Sequence, residues 1–295
     1  MPRRTVIAMI LRLGRRTFAE TDLVLMAIVN RTPDSFFDAG ATFPAERALA
    51  AVDRAVAEGA DIVDVGGVRA GQGEPVGPAE EVRRVADLVA AVRAQHPDVV
   101  ISVDTWRAEV ARVVIEAGAD LINDTWAGAD PALAEVAGAA GAGIVCSHTG
   151  GLPPRTDPHR VAYPDVVADV QATVTRLADR AVSLGVPATS VLIDPTHDFG
   201  KNTRHSLEVT RRLPELVGTG WPVLVAVSNK DFIGEALDLP VGERLEGTLA
   251  TLAVSAWLGA RVFRVHQVRP ARRVLDMVAA IRGTRPPAVS RRGLA

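Results

Sequence analysis

Seven side chains scattered along the sequence have types that would form one binding cup if folding gathered them: Asn30, Asp104, Asn123, Asp194, Lys230, Arg264 and His266. The carboxylates of Asp104 and Asp194 accept hydrogen bonds only, whereas the amide of Asn123 can accept and donate. That set suits a flat heterocycle with a guanidine-like edge, because a carboxylate takes two parallel N–H bonds from such an edge as it does from arginine. Lys230 supplies a cation able to reach a ring carbonyl. Arg264 and His266 alternate along one apolar run, so they point to the same side of a strand, and an anion is their natural partner. Any single aspartate among them could be no more than a helix cap. The set acquires meaning only if the fold brings it to one place.

Each of the seven lies at or just past the end of a short apolar run. Eight such runs, rich in β-branched and aliphatic residues, cover 23–29, 61–65, 99–103, 120–123, 143–147, 190–194, 223–228 and 261–265, and amphipathic helical patterns separate them. Val82, Val85, Val89 and Val92 form one face of a helix opened by Pro78 and Glu80-Glu81; Val166, Val170, Val174, Leu177 and Leu184 do so for another. Gly-Ala pairs at 59–60, 118–119, 141–142 and 259–260 read as helix ends, with glycine in the left-handed conformation.

Eight alternations allow a doubly wound open sheet or a closed (β/α)8 barrel. An open sheet leaves the ends of its first and last strands far apart, whereas a barrel brings all eight ends to one mouth. Polar residues at those ends, which also include Gly66-Gly67, Asp124, His148 and Ser228, favour the barrel. The expected fold class is therefore α/β, a (β/α)8 TIM barrel with a short N-terminal hairpin. Residues 11–18 would form that hairpin, turning at Gly14-Arg15 and plugging the amino-terminal end. The expected organisation is a single domain over 1–295, with 1–20 as hairpin and extension and 283–295 as a flexible tail.

Composition narrows the partner. A chain of 295 residues, 48% hydrophobic, can bury a barrel-sized core, and a formal net charge of −2 with interleaved acids and bases gives no surface for tracking a polyanion. A small molecule is expected, with no nucleic acid and no membrane. Before Arg12 the apolar run covers only 6–11, too short for a secretory or spanning segment, and Arg3-Arg4 reads as solvated charge rather than a targeting signal. The lone Cys146 fits a reducing cytoplasm and reads as a small buried hydrophobe. Trp106 and Trp126 fit packing or stacking equally, and Trp257 is a candidate for facing a second copy of the chain.

The motifs Asn30-Arg31-Thr32-Pro33-Asp34-Ser35-Phe36, Asp61-Ile62-Val63-Asp64-Val65-Gly66-Gly67, Ile101-Ser102-Val103-Asp104-Thr105, Asn123-Asp124, Ile193-Asp194-Pro195 with Phe199-Gly200-Lys201, and Arg264-Val265-His266 occur in the order and spacing of a known family. Over about 11–281 the chain resembles dihydropteroate synthases. The resemblance implies a (β/α)8 barrel, usually a homodimer, that joins a dihydropterin pyrophosphate to p-aminobenzoate with loss of magnesium-bound pyrophosphate. It assigns Asp104, Asn123, Asp194 and Lys230 to a pterin-type ligand. Asn30, Arg264 and His266 are assigned to pyrophosphate and its Mg2+, with Asn30 at the metal. Lys230, Arg264 and His266 are the candidate catalytic groups.

Departures from the family pattern cluster in the loops. Where the family carries Ser-Thr-Arg-Pro-Gly after Gly66-Gly67, this chain reads Val68-Arg69-Ala70-Gly71-Gln72-Gly73-Glu74-Pro75. Arg31 replaces a small aliphatic residue, Ser-Arg-Lys-Ser becomes Ser228-Asn229-Lys230-Asp231, Gly-Ile-Gly becomes Thr196-His197-Asp198, and an expected arginine is Gly150. Thr196, His197 and Asp198 are expected to crowd the mouth. Asp231 and Asp198 would repel an anionic p-aminobenzoate; like charges ~5 Å apart at an effective dielectric near 20 repel by roughly 3 kcal/mol, about a hundredfold in affinity. The sequence thus reads as a divergent second paralogue whose pterin floor is kept and whose condensation activity is weak or lost. The alternatives are a fully active synthase compensated by Arg69 or Arg31, a non-catalytic binder of a pterin-like ligand, and a metallohydrolase using His148, His197 and His266 with Asp194 and Asp198. A methyltetrahydrofolate-type transferase shares the pterin grip, but the 32–36 loop and Arg264-Val265-His266 favour pyrophosphate chemistry.

Overall fold

The computed structural model describes residues 10–33, 40, 42–156 and 162–293. Each expected apolar run carries a strand: β3 (Val24–Asn30), β4 (Ile62–Gly66), β5 (Val100–Asp104), β6 (Leu121–Asp124), β7 (Gly143–Ser147), β8 (Val191–Asp194), β9 (Leu224–Val225) and β10 (Val262–Val265). They pair in parallel in the order β8-β7-β6-β5-β4-β3-β10-β9. Closure of the ring falls to a single bridge between Ile193 and Val223, where the Ile193 N–H donates to the Pro222 carbonyl at 3.0 Å. The run expected over 223–228 keeps ladder pairing only at Leu224–Val225, so the barrel loosens on the side where β8 and β9 meet.

Helices return the chain between strands: α1 (Ala45–Ala57), α2 (Pro78–Gln95), α3 (Ala108–Glu116), α4 (Leu133–Ala140), α5 (Val166–Ser183), α6 (Thr203–Arg211) with α7 (Leu213–Val217), α8 (Asp231–Leu237) with α9 (Leu245–Trp257), and α10 (Val268–Ile281). On α2, Val85, Val89 and Val92 are buried as the period predicts, and the helix starts at Pro78, whose missing N–H costs nothing in a first turn. Asp165 caps α5 by accepting from the Val167 and Ala168 N–H groups. Gly59, Gly118, Gly141 and Gly259 all take positive φ, between 66° and 115°, and the chain re-enters the sheet directly after each.

Packing follows the strand period of two. Residues of one parity face outward: Val63, Val65, Ile101 and Val103 meet α1 to α3, and Ile144, Cys146, Ile193 and Phe263 join the core under α5 to α10. Residues of the other parity fill the barrel, where Val24, Met26, Ile62, Val100, Leu121, Val145, Leu192, Leu224 and Val262 form one cluster. Leu11, Leu13 and Phe18 complete that cluster from below. They come from the hairpin of β1 (Leu11–Leu13) and β2 (Arg16–Phe18), turning at Gly14-Arg15 as expected, and this plug closes the amino-terminal end. Because the lower interior is solid, the barrel opens above it, at the carboxyl ends of the strands. No helix among the described residues is long and apolar enough to cross a membrane. Residues 283–293 lie exposed beyond α10, and the expected extension at 1–9, with Arg3-Arg4, falls outside the described residues.

Candidate active site

The alternation that fills the barrel also builds the cavity above it. On β3, Val24 and Met26 belong to the interior, and the next two residues of that parity, Ile28 and Asn30, line a cavity of about 840 Å3. The same step of two leads from Leu121 to Asn123 and Thr125, from Leu192 to Asp194 and Thr196, and from Val262 to Arg264 and His266. Register keeps these groups level, with Asn30 opposite Gly66, Gly66 opposite Asp104, and Asp104 opposite Asn123. All seven residues expected from the sequence line this one cavity. Asp124 and His148, of the opposite parity, are turned away from it.

At the floor lies a charged network with a member that strand-end reasoning misses. Asp64, fully buried two residues beyond Ile62 on β4, accepts from Ser102 Oγ at 2.5 Å, Asn123 Nδ2 at 3.2 Å and Arg264 Nε at 2.6 Å. Its signal is present in the sequence: a carboxylate on the inward parity of a buried strand needs a partner of opposite charge. Arg264 Nη2 donates to Asp104 Oδ2 at 3.0 Å, and Thr125 Oγ1 donates to Asp104 Oδ1 at 2.8 Å. Burial works against charge on Arg264, but Asp64 and Asp104 outweigh it and hold the guanidinium above its usual range. Burial likewise pushes the Asp104 carboxyl up to about 6, with Arg264 opposing and Asp64 adding to the rise. Asp194 is raised by burial against the pull of Lys230, and its Oδ1 accepts from the Thr196 N–H at 2.6 Å.

Beyond β8 and β9, on the side next to Arg264's strand, the cavity is aromatic and cationic. Lys230 donates to the His197 carbonyl and sits 4.8 Å from the centre of the Phe199 ring, a cation–π arrangement; burial lowers its pKa while Asp198 and Asp194 raise it. Phe199 packs edge-on against Trp126, with ring centres 5.3 Å apart. The Phe199 turn is held by Lys201, whose buried ammonium reaches the carbonyls of Phe199 at 2.9 Å, His148 at 3.1 Å and Thr196 at 3.2 Å, and His148 Nδ1 at 2.7 Å. Burial and the Lys201 charge push His148 down to about 4, so at neutral pH its ring accepts from Lys201 at Nδ1 and donates from Nε2 to Asp169 at 2.7 Å. Beside β10, the Ser228 hydroxyl accepts from the His266 backbone N–H at 3.1 Å and lies 3.0 Å from Nδ1 of the same residue.

The altered loops depart from the expectation at Arg31, His197 and Asp231 and meet it at Thr196 and Asp198. Arg31 turns out of the cavity, donating to the Phe43 carbonyl from Nε and Nη2 at 3.1 and 2.9 Å and to the Arg84 carbonyl at 2.8 Å, so it is committed to the scaffold and cannot compensate for the lost loop. His197 is fully buried, stacked on Phe232 and bonded to Thr210 Oγ1 at 3.0 Å; it packs toward α6 and α8 and does not crowd the mouth. Thr196 and Asp198 do line the cavity, and both hold left-handed backbone at φ 53° and 69°, a conformation costly for side chains with a Cβ. Thr196 Oγ1 offsets that cost by accepting from the His148 N–H at 3.2 Å and donating to the Asp194 carbonyl at 3.0 Å. Finally, Asp231 touches the rim, but its carboxylate is 80% exposed and paired with Arg244 at 2.7 Å. A neutralised, hydrated carboxylate repels far less than the bare pair expected beside Lys230.

The loop that replaces Ser-Thr-Arg-Pro-Gly is fastened through its backbone. Arg84 donates to the Gly67 carbonyl at 3.0 Å, Arg155 to those of Gly71 and Glu74 at 3.1 and 2.9 Å, and Arg107 to that of Val76 at 2.8 Å. Val68, Arg69, Ala70, Gly71 and Gln72 thereby face the cavity. The first loop's Thr32 also lines it, while Asp34, Ser35 and Phe36 of that motif lie outside the described residues.

A magnesium ion that keeps water and phosphate oxygens as most of its ligands needs only one or two hard oxygens from protein. Asn30 fits that requirement: its Oδ1 borders Gly66 so closely that a Cβ there would stand 3.1 Å away, and the glycine leaves the amide its place at the cavity wall. The metallohydrolase alternative loses its ligand set, because His148 and His197 are buried away from His266, and among the described residues no three His, Cys, Asp or Glu side chains form a metal cluster.

Comparison with known proteins agrees with this geometry. The family model described as "Pterin binding enzyme" matches residues 26–266. "Inactive dihydropteroate synthase 2" of Mycobacterium leprae (strain TN) is 59% identical over 286 residues, spanning 96% of this chain and 98% of that protein. "Dihydropteroate synthase" of Bacillus subtilis (strain 168) is 37% identical over 267 residues, 90% of each chain. The crystal structure of the Yersinia pestis dihydropteroate synthase with a sulfonamide drug complex superposes with a TM-score of 0.88 at 33% identity, covering 94% of this chain and all of that one. The chain therefore belongs to the dihydropteroate synthase family of pterin binding enzymes, on its divergent second-paralogue branch.

Proposed function

We propose that this protein retains the family's grip on a dihydropterin pyrophosphate and has weak or no capacity to condense it with p-aminobenzoate. One contrast carries the reading: the floor groups stand in family order on strand ends around one cavity, while the loop over them has lost the family's Thr-Arg-Pro. The Mycobacterium leprae relative, matched over nearly its full length, is itself named inactive, which supports the same conclusion.

In this reading Asp104 and Asp194 accept the N–H groups of the pterin's amino edge, Asn123 adds a third contact and Lys230 reaches the ring carbonyl. Arg264 and His266, with Asn30, take the pyrophosphate. Mg2+, held from the protein side by Asn30, would neutralise charge on the leaving pyrophosphate. The carboxylates of the floor favour the cationic character that develops on the pterin side as pyrophosphate departs. Arg264 Nη2 and Thr125 Oγ1 each hold one oxygen of Asp104, so a ligand meets that carboxylate at its remaining acceptor sites or in place of Nη2. What is missing is the family's closure around the second substrate, because residues 68–75 carry no hydroxyl and the Arg69 that faces the cavity has no Thr or Pro beside it.

The whole chain would act as one domain in the cytoplasm, as a homodimer. Exposed Val254 and Trp257 on α9, beside exposed Met277 and Ile281 on α10, support the dimer. The test of function is complementation of a bacterial strain that lacks dihydropteroate synthase. The expected result is no growth without added folate end products, and robust rescue by the wild-type protein would overturn the reading.

A further inference from the structure

We propose that Asp64 is the positioning residue of the cavity floor: it fixes which end of the Asn123 amide faces a ligand, and it anchors Arg264 at one nitrogen while the other changes partner. The choice of probes below rests on the proposed pterin-type ligand; the geometry does not.

A carboxylate has no hydrogen-bond donor to offer, so the Asn123 atom 3.2 Å from Asp64 Oδ2 must be the amide nitrogen, which commits one of its two N–H groups to Asp64 and sets the carbonyl oxygen on the other side of the amide. The Ser102 hydroxyl at 2.5 Å holds the other oxygen of Asp64, and Arg264 Nε at 2.6 Å balances its charge, so the carboxylate has no freedom to rotate away. The amide cannot flip without losing that bond. Together with Asp104 and Asp194, the fixed Asn123 oxygen makes this side of the floor rich in acceptors, which favours ring edges that donate over edges that accept.

The same carboxylate governs Arg264. The guanidinium spans Asp64 through Nε and Asp104 through Nη2 at 3.0 Å, while Thr125 donates to the other oxygen of Asp104. A donating ring edge that takes the Asp104 Oδ2 site held by Nη2 displaces that one bond. The bond from Nε to Asp64 persists, so the released N–H groups stay on the floor and turn toward an anion on the ligand. This is an exchange of hydrogen bonds, in which no covalent bond forms or breaks.

The experiment measures affinity for 6-hydroxymethylpterin and for its 2,4-dioxo analogue, in which an acceptor oxygen replaces the 2-amino donor. Wild type is expected to prefer the pterin by ~10- to 100-fold, the penalty for leaving a buried acceptor unmatched. In Asp64→Asn the new amide can offer its own N–H to Asn123 and free that side chain to turn, so the preference should fall to within ~3-fold. A merely structural role would weaken both probes equally and leave the ratio unchanged; a ratio still above ~10-fold overturns the proposal. If Asp64→Asn does not fold, Ser102→Ala, which removes one bond to Asp64, should lower the ratio part of the way, and an unchanged ratio counts against it. If wild type binds neither probe, the pterin reading fails while this inference is still decided by the Asn123 side-chain N–H signals of the ligand-free protein. Strong protection of those protons from solvent exchange supports the Asp64 bond, and exchange as fast as that of an exposed asparagine refutes it.

Discussion

The floor and the rim of the cavity are built on opposite principles. On the floor, the identity of each side chain matters, because Arg264, Asp64, Asp104, Asn123, Ser102 and Thr125 hold one another through side-chain bonds in a largely buried network. At the rim, Arg84, Arg155 and Arg107 hold the 67–76 segment by its carbonyl oxygens, and any sequence supplies a carbonyl. A loop fastened by its backbone can exchange its side chains without losing its place. A buried ion network cannot lose one member without stranding another. The rim is therefore where a family member can shed catalytic chemistry while keeping its fold.

Removing the cation from the floor is the severest way to break this contrast. Arg264→Ala leaves Asp64 and Asp104 buried without their counter-ion, and the expected loss is ~3–5 kcal/mol of unfolding free energy in urea titration. An unshifted midpoint would mean that the floor tolerates change as the rim does. Asp194→Asn tests binding on the floor: affinity for dihydropterin pyrophosphate, read by calorimetry, should fall by ~10- to 100-fold, since a charge-assisted acceptor is lost. Unaltered affinity would remove Asp194 from the pocket.

The protonation of Asp104 gives a prediction with opposite signs in two measurements. Its folded-state pKa is raised to about 6, above the ordinary carboxylate value, so the native state binds the proton more tightly than the unfolded chain. This group's contribution to stability is therefore greatest at low pH and is lost as pH rises through about 6. Pterin affinity should run the other way over the same window, rising as the carboxylate becomes available to accept two N–H bonds. Parallel pH profiles for stability and binding in wild type, against Asp104→Asn, would separate the two; a wild-type binding curve flat across that window contradicts the assignment.

The smallest effect belongs to the rim. Arg155→Ala removes two exposed hydrogen bonds to the Gly71 and Glu74 carbonyls and should cost no more than ~1 kcal/mol of global stability, while amide exchange over 69–75 accelerates. A large global loss would place the rim in the same cooperative unit as the floor.

Much of the floor can be read in the sequence, because each strand is an apolar run of period two that ends in a polar residue of the inward parity. Asn30, Asp104, Asn123, Asp194 and Arg264 all obey that rule, and the barrel follows from their need for a common mouth. Asp64 escapes a search confined to strand ends, yet the step of two from Ile62 marks it. What the sequence withholds is direction at the rim. Arg31 finds a carbonyl 53 residues away, His197 turns to Thr210, and Asp231 swings out to Arg244. Those choices depend on which donors neighbouring helices present, and strand periodicity carries no information about them. Adjacency in sequence to Lys230 thus overstates the charge that Asp231 contributes to the cavity.

The most direct test of a retained floor beneath a disabled rim is calorimetry of the wild-type protein with dihydropterin pyrophosphate and Mg2+, followed by a product assay after adding p-aminobenzoate. Saturable binding of the pterin pyrophosphate with no dihydropteroate formed is the predicted result. Sustained dihydropteroate production at the rate of an ordinary synthase would contradict it.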